Sequence, residues 1–182
     1  SSGLMKCILL NSADDIGNPG PDFKNGWGEV NAYQALNILE DNNYFFNTIS
    51  QGSINTHDIN VPSGVREMNV MIYWHDKEAS ANASIALVNN LNMSLSDPSS
   101  NVFYPWLLDP TPNANILNQN ALTGVDDLNN MEQITIINPN AGTYTLSIDG
   151  FSIPFGPQEY WISYQFITDE ITLTYPVGGE GL

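Results

Sequence analysis

Residues 64 to 98 hold the pattern that most restricts this chain. From Met68 to Trp74 the side chains alternate, with Met68, Val70, Ile72 and Trp74 on one face and Asn69, Met71 and Tyr73 on the other. That period of two belongs to a strand with one face in a core. It returns as Leu91, Met93 and Leu95 against Asn92, Ser94 and Ser96, after a polar loop that opens on Asp76. Two strands joined by a carboxylate-bearing loop predict one sheet of a β-sandwich with a cation site at its edge.

The rest of the chain fits the same plan. Leu4, Cys7 and Ile8 fall at helical spacing, but Met5, Leu9 and Leu10 make that first helix apolar nearly all round. Such a helix needs cover on several sides. The short N-terminal piece offers none, so its expected partner is another polypeptide. Residues 13 to 28 are dense in Gly, Pro, Asn and Asp, which predicts a succession of turns. Asn31 with Gln34 three residues on predicts a capped second helix, with Ala32, Ala35, Leu36 and Leu39 as its apolar stripe.

Strands are expected from Tyr44 to Ile49, Ile54 to Val61, Glu132 to Ile137, Thr143 to Ile148 and Tyr160 to Phe166, separated by Gly, Pro and Asn turns. The long connection 99 to 125 carries an apolar knot, Val102 to Leu108, that either anchors it or serves a function. These elements give a mainly β fold: an antiparallel β-sandwich of jelly-roll, galactose-binding-like type, preceded by a short helical part. Three segments follow, 1–43 helical, 44–168 sandwich, and 169–182 a linker or the start of a further module, where residues 171 to 176 have strand character.

Four Lys plus Arg against 20 Asp plus Glu give a formal net charge of −16. That field repels phosphate backbones, so nucleic acid is excluded as a partner. An acidic, Lys-poor surface rich in Asn and Ser suits a secreted or cell-surface protein. No run reaches the ~20 apolar residues that span a bilayer, and any export signal is expected outside this chain. The single Cys7 has no partner for an internal disulfide and reads as a small buried hydrophobe.

Two separated stretches carry a resemblance. Leu4 to Asp15, followed by Gly20-Pro21-Asp22 and Asn25-Gly26-Trp27-Gly28-Glu29-Val30-Asn31-Ala32, resembles the closing segment of the catalytic domain of subtilisin-like serine peptidases. Trp74-His75-Asp76, Ala86 to Asn92, Asp126 to Glu132 and Asn138 to Tyr144 resemble the jelly-roll domain that follows it in a subset of these enzymes. The resemblance implies the C-terminal part of a secreted endopeptidase, with an upstream catalytic-domain polypeptide as partner and protein or peptide as the parent enzyme's substrate. No catalytic residue is assigned here. The Gly-Thr-Ser nucleophile motif is missing, His57 and His75 lack the family's surroundings, and Ser1 and Ser2 sit in no nucleophile elbow. The alternative is a non-catalytic binding or adhesion module for glycans or proteins, with Phe103, Tyr104 and Trp106 as its contact surface.

The candidate metal ligands are Asp76, Asn90, Asp126, Asn130 and Glu132, an oxygen-rich set suited to Ca²⁺. The resemblance implies calcium as cofactor and places Asp where Asn90 and Asn92 stand, so the local negative charge here is lower. The same Asp and Asn side chains also serve to end strands and satisfy turn backbones. No His and Cys cluster points to zinc.

Overall fold

The computed structural model describes residues 1–168. The strand expected over residues 171 to 176 lies outside them. Two helices, α1 (Ser2–Asn11) and α2 (Ala32–Glu40), precede the strands β1 (Tyr44–Ile49), β2 (Ile54–Val61), β3 (Val65–Trp74), β4 (Asn90–Ser96), β5 (Val102–Phe103), β6 (Trp106–Leu107), β7 (Leu122–Thr123), β8 (Met131–Ile137), β9 (Gly142–Ser152) and β10 (Gln158–Thr168).

One antiparallel sheet runs β1-β10-β3-β8 and a second runs β2-β9-β4-β5, while β6 and β7 form a small ribbon. The architecture is therefore the expected antiparallel sandwich. One expectation is corrected: β3 and β4 lie in different sheets. The intervening residues are long enough to cross between layers, and both strands then turn their apolar sets, Val70, Ile72 and Trp74 with Leu91, Met93 and Leu95, into one shared core. Tyr144, Leu146 and Ile148 of β9 and Tyr160 and Ile162 of β10 complete it.

The two sheets differ on their outer faces. The second sheet presents Thr56, Asp58, Asn60, Thr143 and Thr145 to solvent, so its strands alternate cleanly. The first is covered by α1, which buries Met71, Tyr73, Trp161 and Ser163 beneath Cys7. Gly3 permits this approach, because a Cβ there would collide with the Trp161 ring. Burial pushes the Cys7 thiol up to about 12, which makes it a packing group rather than a nucleophile.

The expectation that nothing in this chain covers α1 is thus corrected for one side of the helix. Cys7, Ile8 and Asn11 are buried on the sheet and on α2, whereas Met5 and Leu9 stay exposed. Asn31 caps α2 as expected, its Oδ1 accepting from Gln34 N at 3.0 Å. The buried stripe of α2 is Ala35 and Ile38, which meet Ile8, while Leu36 faces out.

The turns before α2 are held by Asp22, whose carboxylate accepts from the backbone N–H of Asn18, Lys24 and Asn25 and from Asn25 Nδ2. Led by the hydrogen bonds from Asn25, these hold its carboxyl down at about 2. Within the Asn-Gly-Trp-Gly string, Gly28 has φ 108° and lies against the Asp14 carbonyl, a position closed to any side chain.

At the open edge between β1 and β2, Asn55 Nδ2 donates to the Tyr160 hydroxyl at 2.9 Å, and that hydroxyl lies 3.0 Å from His57 Nε2. The hydroxyl thus joins Asn55 and His57 in one hydrogen-bonded group. Burial lowers the His57 pKa, so the folded chain resists the proton more than the unfolded one does. Stability from this site is complete above about pH 6.5 and is lost as pH falls below it. Melting temperatures measured from pH 7.5 to 5 should show that loss, and His57→Gln should remove it.

Candidate cation site

At one end of the sandwich, Glu132 is the first residue of β8 on the inward face, in phase with Ile134 and Ile136. It is only 1% exposed. Beyond its contact with β5 at Leu95 and Ser96, β4 has an open edge there, and Glu132 Oε2 accepts from Met93 N at 2.7 Å across the two sheets. Its other oxygen, Oε1, has no hydrogen-bond partner. On β4, either side of Leu91, the buried amide oxygens of Asn90 and Asn92 also lack a donor. Asn90 Nδ2 donates to Asp127 Oδ1 at 2.7 Å, which fixes which end of that amide is left over.

Burial pushes the Glu132 carboxyl well above the usual carboxylate range. The Met93 N–H partly offsets this, and the charges of Asp126 and Asp127 add to it. A buried acceptor without a donor costs roughly 1–3 kcal/mol. Three acceptors at this end of the sandwich are thus left without a donor: Glu132 Oε1 on β8 and the amide oxygens of Asn90 and Asn92 on β4.

The sequence-derived ligand set divides. Glu132, Asn90 and Asp126 belong to this end of the sandwich, and Asp127 and Asn92 join them. The Asp126 carboxylate is turned to its own loop, accepting from Leu128 N, Asn129 N and Asn129 Nδ2. Asp76 is engaged elsewhere, accepting from Lys77 N, Val88 N and Asn89 N at 2.7–2.8 Å and so closing the loop between β3 and β4. Asn130 continues the β3–β8 pairing, its Nδ2 donating to Trp74 O and its carbonyl accepting from Trp74 N. Asn92 was a position where the resemblance places Asp, not one of the candidate ligands. Glu132 carried a usable signal, a carboxylate on the core side of a strand.

Among the described residues, no three His, Cys, Asp or Glu side chains gather as a metal-binding group. The donor set is instead one buried carboxylate supplemented by amides, chemistry that fits a hard oxygen-seeking cation of modest affinity and not zinc.

The remaining sequence candidates are placed as follows. Ser2 Oγ lies 3.4 Å from His75 Nε2, and the Tyr73 hydroxyl 3.1 Å from His75 Nδ1. The first contact is long for an O–H···N bond, and a phenol stands where an orienting carboxylate is needed. Of the aromatic knot, Phe103 packs on the core, and Trp106 lies against Gly20 with its Nε1 donating to Thr135 Oγ1 at 3.0 Å. Tyr104 alone of the three is exposed. The knot therefore anchors the long connection.

No family model matches the sequence, and no curated protein matches it. Among solved structures, a Bacillus licheniformis lipase in its propeptide form is similar over 69% of this chain, at 16% identity and a TM-score of 0.40. The matched part is 22% of that lipase's length. A protein from Sulfurospirillum deleyianum is similar over 70% of this chain and 99% of its own, at 8% identity and a TM-score of 0.34. Among the described residues, no helix is long and apolar enough to cross a membrane.

Proposed function

We propose that this chain is the C-terminal part of a secreted subtilisin-like serine endopeptidase, in which the sandwich braces the catalytic domain or positions a protein substrate. The nucleophile, histidine and aspartate then belong to an upstream catalytic-domain polypeptide. The observation that carries this reading is the outward side of the helix pair. Met5 and Leu9 on α1, Val30 before α2, and Tyr33 and Leu36 on α2 are large apolar side chains between 38% and 71% exposed, on helices whose other side is already seated on the sheet. Exposed apolar area of this kind marks an interface. These residues also fall in the stretch whose Asn-Gly-Trp-Gly string carries the resemblance.

The test is the intact mass and proteolytic activity of the protein isolated from its source. The expected product exceeds the 20.0 kDa of this chain and hydrolyses protein, while the 182-residue chain alone does not. Hydrolysis by the isolated chain would overturn the proposal.

We infer further that the sandwich holds Ca²⁺ through Glu132, Asn90 and Asn92, with Asp126 and Asp127 adding negative charge around it. Bound there, the ion would give the orphaned oxygens a partner and tie β4 to β8. Its role is structural, since nothing in the donor set is arranged for turnover.

A further inference from the structure

A cavity lies between the turns of residues 13 to 28 and the outer face of the first sheet. It encloses about 430 Å³, within the range of small-molecule and side-chain sites, roughly 300–1,000 Å³. Trp27 and Trp106 form walls, and Asp14, Asp15, Glu67 and Asn69 supply oxygens.

We propose that this cavity binds an organic cation, the guanidinium or ammonium end of a basic side chain, through Glu67, Asn69 and the two tryptophans. The proposal does not rest on the peptidase reading.

Hydrogen-bond polarity is the first ground. Asn69 is 6% exposed, and its Oδ1 has no partner. Three lining N–H donors are committed within the protein: Asn69 Nδ2 to Glu67 Oε1 at 2.9 Å, Gln133 Nε2 to Asn11 Oδ1 at 3.0 Å, and Trp106 Nε1 to Thr135 Oγ1 at 3.0 Å. Acceptor capacity is left at Asn69 Oδ1 and the carboxylates, beside the Arg66 guanidinium and the Trp27 indole N–H. A carboxylate offers about four lone-pair directions. Asp15 accepts from Gly20 N, and Glu67 accepts from Asn69 and lies 3.8 Å from Arg66. A guest rich in N–H donors finds its partners here in Asn69 Oδ1 and the carboxylates.

Charge and ring chemistry agree. Three carboxylates face one guanidinium, that of Arg66, in a protein of net charge −16. Indole faces attract cations, and guanidinium groups stack on them.

The test titrates the 182-residue chain with N-acetyl-arginine methylamide and N-acetyl-lysine methylamide, following tryptophan indole N–H resonances. N-acetyl-citrulline methylamide, isosteric with the arginine compound but neutral, and methyl glucoside serve as comparisons. Saturable binding of either basic compound is expected, about tenfold or more weaker for citrulline and for Glu67→Gln, because a charge-assisted bond is lost. Glu67 sits at the rim, and its melting curve reports whether the variant folds. Should it not fold, Trp27→Leu must weaken binding instead. Equal affinity for citrulline, preference for the glucoside, or no saturable shift with either basic compound would overturn the proposal.

Discussion

Trp74→Ala is expected to lower stability by about 3–5 kcal/mol, the range for removing a large aromatic side chain from a core. Trp74 is completely buried, and its indole Nε1 donates to Asn89 O at 2.9 Å. Loss of the ring opens a cavity between the sheets, and loss of the N–H leaves a buried carbonyl without its donor. The same Asn89 is held from the other side by Asp76, whose carboxylate takes its backbone N–H. Indole and carboxylate together fix the far end of the β3–β4 loop against the strand it leaves, so the loop should loosen along with the core. For a domain of this size the melting temperature should fall by roughly 10 °C or more. Phe46→Ala provides the contrast. That ring is 68% exposed on β1, and its removal should change stability by no more than about 0.5 kcal/mol. Thermal melts of the two variants beside the parent chain check the pair, and equal losses would place the core elsewhere.

The second large effect belongs to calcium and Glu132. Affinity is expected in the range of extracellular calcium modules, ~10⁻⁴ to 10⁻³ M, because the site has one buried carboxylate. At a concentration about a hundred times Kd, an ion that binds only the folded chain adds about 2.7 kcal/mol. That corresponds to a rise in melting temperature of roughly 5–10 °C between chelator and excess Ca²⁺. Without the ion the sign of the pH effect reverses relative to His57. The folded chain holds the Glu132 proton more tightly than the unfolded one, so this contribution is present in acid and declines as pH rises above about 4.3, the ordinary glutamate value. Glu132→Gln should abolish the calcium response while leaving the chelated protein at least as stable, since a neutral amide needs no counter-charge. Differential scanning calorimetry of both proteins, with and without Ca²⁺, distinguishes the outcomes. An unchanged parent melt, or a full response in the variant, removes the metal from this site.

The strands were readable where only one face is buried. Along β9 Thr143 and Thr145 point to solvent, and along β4 Asn92, Ser94 and Ser96 are only part-buried, so Tyr144, Leu146 and Ile148, or Leu91, Met93 and Leu95, stand out by alternation. The inner strands β3 and β10 of the first sheet are buried on both faces, and there the period of two marks the strand but not its surroundings. Trp161, Ser163 and Gln165 of β10 are as hidden as Tyr160 and Ile162. Their cover is a helix more than 150 residues earlier, a contact that no local pattern announces. The candidate site divides in the same way. The oxygen-rich loops were visible as composition. The bond from Met93 to Glu132, however, joins residues 39 apart in different sheets. Asp76 was legible as a carboxylate after a strand, yet its saturation by three backbone amides follows from the fold of the loop it caps.

The most direct examination of the helix pair as part of a larger globule uses Met5. It is 45% exposed, whereas Met68, Met71 and Met93 are buried. Dilute peroxide should therefore oxidise Met5 ahead of those three in the isolated chain, as peptide mass spectrometry can read. In the protein isolated from its source, Met5 should be protected and the other three unchanged. Equal oxidation of Met5 in both preparations would mean that nothing is seated on α1 and would contradict the account.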